Sequence, residues 1–245
     1  MRRKGRTETM SGAPEFDTEA PPSRALLLRD ANALAAFLTK RLAPIPITPD
    51  ATAAADHIDE SELQALHPDP RFRGAKPRQA AVLAPIYARE GRPHLLFTRR
   101  SPDLRAHSGE ISFPGGSYEP QDGSLAHTAL RETHEELGLE RARVALLGAL
   151  SPTFTVVSNF FVTPYVGWLG EGLPALHPQE SEVAEIIEAP LSALDDPGTY
   201  HSELWSRGGE SHAVHFYDFG SYRIWGLTGR MLNQLLGLLP PRDIA

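Results

Sequence analysis

Three glutamates, Glu132, Glu135 and Glu136, lie in the run Arg131-Glu132-Thr133-His134-Glu135-Glu136-Leu137-Gly138-Leu139. If this run is helical, residues three and four apart are surface neighbours, so the three carboxylates share a face and repel one another by roughly 0.2–0.5 kcal/mol per pair. Arg131 alone cannot balance them. A solvated acidic face is the plain reading of such a helix. A second stretch upstream, Phe113-Pro114-Gly115-Gly116, changes it. Paired glycines let the backbone turn sharply and approach a ligand closely. A glycine turn feeding a helix with clustered carboxylates is a cage for hard, oxygen-preferring cations, magnesium or manganese.

The elements that must position these groups are legible in the apolar pattern. Ala126, Ala129, Leu130, Thr133 and Leu137 repeat at helical spacing on the face adjoining the glutamates. Ser124 is placed to cap that helix and Gly138 to end it. Strands are predicted over 80–89 and 94–99, with Glu90-Gly91-Arg92-Pro93 as the turn between them. Further strands are predicted over 144–150, 160–169 and 183–187, with a late pair over 212–218 and 222–225. Helices are predicted over 29–42 and 226–239, a Pro-rich turn at 44–49 and a helical turn at 59–67. Strands before and after one central helix, closed by a terminal helix, indicate an α/β (α+β) sandwich. The expected organisation is a disordered tail over 1–24, a helical and loop extension over 25–75, and the main domain over 76–240. Trp168, Trp225 and the Phe160-Phe161 pair are expected in the core.

Composition narrows the function. A chain of 245 residues with 41% hydrophobic content can bury one good-sized core. It has no apolar run long enough to span a bilayer. Arg2, Arg3, Lys4 and Arg6 make a basic start, but no apolar stretch follows, so a secretory signal is not expected; Met10 is a second candidate start. The absence of cysteine excludes disulfides, zinc–thiolate sites and thiol nucleophiles, and fits a reducing cytoplasm. A net charge of −7 disfavours nonspecific nucleic-acid or anionic-membrane binding. An anionic substrate would therefore need locally concentrated positive charge, from metal or arginine. Ser101, His107 and Ser108 bring together serine and histidine, but no third triad member accompanies them. His107 reads as a loop residue or a substrate contact.

At these residues the chain resembles the Nudix hydrolases, whose signature joins a glycine to Arg-Glu-aliphatic-x-Glu-Glu-x-Gly-aliphatic through a spacer containing an early glutamate. Gly116 and the run from Arg131 to Leu139 match it, with Thr133 at an aliphatic position. Fourteen residues separate Gly116 from Arg131, one more than the general pattern, and the early acid is Asp122 or Glu119. Leu96-Phe97-Thr98-Arg99-Arg100-Ser101, Arg105, Gly109 and Phe113 to Gly116 further resemble the coenzyme A pyrophosphatase branch, with Phe97 in place of a leucine. The segment Trp225-Gly226-Leu227-Thr228 is similar to that branch's closing segment.

The resemblance implies a mixed sheet held between helices. It implies metal ligands at Glu132 and Glu136, with the Gly116 carbonyl completing a coordination shell. Glu135 would be a further ligand or a base acting through water, and Arg131 would orient the glutamates. The loop base would come from Glu180, Glu182 or Glu185, with Glu182 preferred. Arg99, Arg100 and Arg105 would contact substrate phosphate. The implied enzyme is a magnesium- or manganese-dependent pyrophosphatase in the cytoplasm, cleaving coenzyme A or its thioesters to 3′,5′-ADP and 4′-phosphopantetheine. Its rivals are a hydrolase of ADP-ribose or dinucleotides and a non-catalytic ligand-sensing domain. The partner is a small nucleotide, with no nucleic acid or membrane; a homodimer is left open.

Overall fold

The chain is built around a strand buried on both faces, β1 (Arg78–Arg89), whose run of alanine, valine, leucine and isoleucine is what a two-sided burial demands. The computed structural model describes residues 21–45, 76–103, 109–155, 158–207 and 210–242. The readings at 46–49 and 59–67 lie outside these residues. Before β1 come α1 (Arg24–Leu27) and α2 (Ala31–Arg41). After it come β2 (Arg92–Arg100), β3 (Ile111–Ser112), β4 (Gly115–Ser117) and α3 (Leu125–Leu137). The chain continues through β5 (Ala145–Ala149), β6 (Thr153–Thr155), β7 (Phe160–Glu171), β8 (Val183–Pro190) and α4 (Leu191–Leu194). It ends with β9 (Tyr200–Arg207), β10 (Glu210–Phe219), β11 (Tyr222–Ile224) and α5 (Gly226–Gly237).

β1 runs parallel to β7 from Arg78↔Phe160 to Ile86↔Trp168. Its other edge is divided. From Ile86 to Arg89 it pairs antiparallel with β2, through a two-residue turn in which Glu90 and Gly91 take φ of 53° and 72°. Such a turn has the twist that a right-handed hairpin needs. From Ala80 to Val82 the partner is β4 instead. So β1 and β2 part midway, and the glycine strand enters the gap. β8 adds to β2, while β5 and β6 add to β7, completing a mixed sheet.

Alternation sends the two faces of this sheet to different helices. Ala81 and Leu83 of β1 pack with Leu125, Ala126 and Ala129 of α3. Ala84 and Ile86 join Leu34 and Leu38 of α2 and Met231, Leu232 and Leu235 of α5 on the other face. The result is the α+β architecture with a mixed sheet between helices. A separate antiparallel meander, β11-β10-β9, packs Tyr217 and Ile224 into the α2–α5 core.

Three sequence expectations need correction. β9 was absent from the pattern because it is polar and lies at an edge, with Leu204 77% exposed. Trp225 is not core: it is 38% exposed and stacks on Phe216 across the outer face of the meander. Phe160 and Phe161 are only partly buried, whereas Trp168 packs against the main core.

Ser23 and Arg24, which composition assigns to the tail, are part of the folded chain. The Ser23 side chain caps α1 by accepting from the Leu26 N–H. Arg24 pairs through two nitrogens with the buried carboxylate of Asp195, just after α4. It also donates to the carbonyls of Leu236 and Pro240 at the end of α5. One side chain thus ties the first helix to the last, which an average over residue types cannot reveal. Arg242 supports Asp195 from a second side at 3.1 Å. Removing residues 1–20 is expected to leave Tm unchanged. Arg24→Ala leaves a buried acid half-paired and is expected to cost about 2–4 kcal/mol in a denaturant titration.

Candidate active site

The glutamate helix is set at both ends by local chemistry. A 3₁₀ turn, Pro120–Asp122, precedes it, in which Glu119 and Asp122 cap each other's backbone reciprocally. Ser124 then accepts from the His127 N–H at 3.2 Å and starts α3. Gly138 ends it with φ of 68°, the left-handed turn that favours glycine. The loop before β8 covers the exposed carbonyls at that end. His177 N–H donates to the Leu137 carbonyl at 2.8 Å and Gln179 N–H to the Glu136 carbonyl at 2.9 Å. Thr133, in the aliphatic slot, is buried without penalty because its hydroxyl donates to the Ala129 carbonyl at 2.6 Å.

Of the two early acids, Asp122 is the one turned toward the helix; Glu119 is exposed and accepts from Gln121. Arg131 grips the Asp122 carboxylate with Nε at 2.7 Å and Nη2 at 3.0 Å, a bidentate pair. Thr128 Oγ1 adds a third donor at 2.8 Å, and the Glu119 N–H a fourth at 3.0 Å. Burial works to raise the Asp122 pKa, but these donors outweigh it and hold the group at about 2. The rest of the guanidinium faces outward. Nη2 donates to the Ser117 carbonyl on β4 at 3.0 Å, and Nη1 lies 3.0 Å from Glu132 and 2.8 Å from Glu135.

The three glutamates therefore do not share one environment. Glu135 is exposed and held by Arg131. Glu132 is turned against Gly116, where a Cβ on the glycine would lie 2.5 Å from the carboxylate carbon. Burial raises the pKa of Glu132, with Arg131 opposing. Glu136 is 4% exposed, and the Gly115 N–H donates to its Oε2 at 3.3 Å. Its pKa is pushed up to about 8 by burial, which Arg100 and the Gly115 N–H only partly offset, and Glu132 and Glu182 add to the rise.

Of the three loop acids, Glu182 is the one whose charge acts on both Glu132 and Glu136. Glu180 is exposed, and Glu185 is taken by Arg99 at 2.8 Å and by the Tyr222 hydroxyl. The strand period separates the arginines as well. Leu96 packs with Leu137 of α3, and Arg100, four residues on, reaches the same side, with Nη1 3.9 Å from Glu136 Oε1. Arg99 points the other way. Arg105, His107 and Ser108 lie outside the described residues. The backbone link from Ser101 N–H to the Glu182 carbonyl at 2.8 Å was not foreseeable from spacing.

Among the described residues, no three acidic or histidine side chains converge as a ready-made ligand set. The residues nonetheless fit a divalent cation. Glu136 is a buried carboxylate with two acidic neighbours and, among the described residues, one arginine at 3.9 Å, and so poorly compensated a buried carboxylate calls for a cation. Carboxylate oxygens are the donors that magnesium and manganese prefer.

The NUDIX domain family model matches residues 77–205. The chain is 42% identical over 181 residues to an uncharacterized Nudix hydrolase NudL of Photorhabdus laumondii, covering 74% of this chain and 95% of that protein. It is 41% identical over 175 residues to the NudL of Yersinia enterocolitica, covering 71% and 88%. Among solved structures, it is similar to a MutT/nudix family protein from Enterococcus faecalis, with a TM-score of 0.45 and 15% identity over 65% of this chain and 61% of that one. A Nudix hydrolase from M. smegmatis, RenU, gives a TM-score of 0.41 at 19% identity over 49% and 78%.

The two glycines should respond differently to alanine. At Gly115 (φ +150°) a Cβ would sit 2.3 Å from the Ala81 carbonyl, a rigid backbone atom. Gly115→Ala is therefore expected to lower Tm markedly. At Gly116 the obstacle is the movable end of Glu132, so Gly116→Ala should keep its fold by circular dichroism and displace that carboxylate.

Asp122 should show in the acid limb of stability. Its folded pKa lies below the unfolded value of 3.8, so its contribution is complete above about pH 4 and is lost as pH falls toward 2. Asp122→Asn is expected to cost about 2 kcal/mol at pH 7 and to flatten the loss between pH 4 and 2 in urea titrations.

Proposed function

This chain belongs to the Nudix family, and from that premise we propose that it is a divalent-metal-dependent pyrophosphatase acting on coenzyme A or its thioesters in the cytoplasm. The products are 3′,5′-ADP and 4′-phosphopantetheine. The observation that supports a diphosphate substrate is Arg100, while the coenzyme A assignment rests on the sequence motif around it. It lies in the run Leu96-Phe97-Thr98-Arg99-Arg100-Ser101, and it stands on the α3 side of β2, beside Glu136. The upstream motif and the glutamate helix thereby meet at one place.

Glu132, Glu136 and the Gly116 carbonyl would hold magnesium or manganese. When bound, the cation neutralises diphosphate oxygens and makes water a better nucleophile. The chain's own part is positional. Arg131, fixed by Asp122, orients Glu132 and draws Glu135 outward. Glu182 sits across from Glu132 and Glu136 and takes the proton from the attacking water. Water adds to one phosphorus, the bond from that phosphorus to the bridging oxygen breaks, and the second phosphate leaves with that oxygen. Glu135, engaged with Arg131, acts in holding the helix face rather than as the first base. Arg100 meets the diphosphate from the opposite wall.

Selectivity must come from outside α3, because its carboxylates treat all diphosphates alike. A desolvated arginine–phosphate contact contributes about 1.5–3 kcal/mol. Coenzyme A is thus expected to exceed dephospho-coenzyme A and ADP-ribose by roughly tenfold to a hundredfold in kcat/KM. Comparable turnover of dephospho-coenzyme A would show that the 3′-phosphate is not read, and a preference for ADP-ribose would overturn the substrate. Glu136→Gln is expected to abolish most turnover under saturating magnesium while metal-free Tm holds or rises, since one buried, repelled carboxylate is gone.

A further inference from the structure

Arg100 is bound to its neighbours in two contrasting ways. Its backbone is pinned: its N–H donates to the Glu110 carbonyl at 3.0 Å, its carbonyl accepts from Gly109 at 3.2 Å, and the next residue, Ser101, is tied to Glu182. Its side chain is not. Nη1 lies 3.9 Å from Glu136 Oε1, beyond hydrogen-bond distance, while Arg131 grips Asp122 at 2.7 and 3.0 Å. Moreover, Nε of Arg100 is buried with no hydrogen-bond partner among the described residues. A buried donor left unmade is costly, so this position is one the guanidinium leaves when an acceptor arrives.

We propose that Arg100 is a resident counter-ion for Glu136, displaced when a divalent cation binds and thereby released to the substrate's diphosphate. The idea rests on the metal-dependent reading above. Among the described residues Arg100 is the cation beside Glu136, 3.9 Å away, where it favours the carboxylate form against burial and the charges of Glu132 and Glu182. A divalent cation at the same carboxylate makes that offset redundant and repels the guanidinium. A diphosphate then offers what Glu136 does not: paired oxygens matched to the planar fork, including one for Nε. Because the backbone on either side is fixed, the exchange needs side-chain rotation only. Metal and substrate binding are coupled through one arginine, and the coupling is reciprocal.

The test compares the full-length wild type with Arg100→Met, Arg100→Gln and Arg100→Lys. Mn²⁺ affinity is measured by calorimetry without substrate, alongside metal-free Tm, and KM and kcat are measured separately. With the competing charge gone, Met and Gln variants should bind Mn²⁺ at least about fivefold more tightly, with a lower metal-free Tm. Lys, which keeps the charge, should bind Mn²⁺ like the wild type. For the neutral variants KM should rise by about tenfold or more while kcat changes less. Mn²⁺ affinity unchanged or weakened in both neutral variants would overturn the exchange, whatever the substrate proves to be. Failure of the wild type itself to bind Mn²⁺ would instead remove the metal reading, and this proposal with it.

Discussion

The bidentate pair between Asp122 and Arg131 is the interaction on which the site depends. Three other contacts radiate from the same guanidinium, to the Ser117 carbonyl on β4, to Glu132 and to Glu135. One planar group therefore fixes the turn before the helix, the glycine strand beside it, and two of the three glutamates. The energetics fit such a role. An arginine satisfied by a buried acid is held in one rotamer, and each further contact is made at little additional entropic cost. Without Asp122 the guanidinium would be free to fold across Glu132 and Glu136, neutralising the negative charge that suits this place to a cation.

The sheet supplies the second constraint. Because β1 and β2 part at Ile86, β4 can enter with Gly115 and Gly116 against β1. Only then does the Gly115 N–H reach Glu136, and only a residue without a Cβ lets Glu132 lie against Gly116. This wall of the candidate site is thus made by a defect in strand pairing, as rims of functional sites often are. The same logic applies at the far side, where the register between β2 and β8 shifts at Arg99/Arg100. The loop before β8 both caps α3 and brings Glu182 across from its glutamates.

Much of this was legible in residue types and spacing, and the limits have physical causes. Long apolar strands and the capped amphipathic helix announced themselves, because burial imposes periodicity on them. β3, β4 and β6 are too short to carry a period, and β9 is an exposed edge whose side chains answer to water. The sequence put three acids on one face, but it could not show that Arg131 draws Glu135 away. Asp122 was one of two candidates; its burial decided between them, and burial depends on a tertiary contact nine residues along. Arg99 and Arg100 looked equivalent in the motif, although strand alternation from Leu96 already assigns Arg100 to the α3 side. That inference needed only the knowledge that Leu96 faces the helix.

The charge of the whole chain gives these local facts their direction. A protein of net charge −7, with a buried glutamate beside two others, repels a diphosphate until cations intervene. For the diphosphate substrate proposed above, affinity would then depend on metal by electrostatics alone, before any chemistry. The protein keeps its fixed positive charge where it serves structure, at Arg131 and Arg24, each locked to a buried acid. The loosely held charge stands at the wall of the site, at Arg100. Rigid pairs preserve a geometry, whereas a weak pair can exchange partners. If the proposed exchange at Arg100 holds, one weak pair among strong ones would make admission of an anion follow binding of the cation.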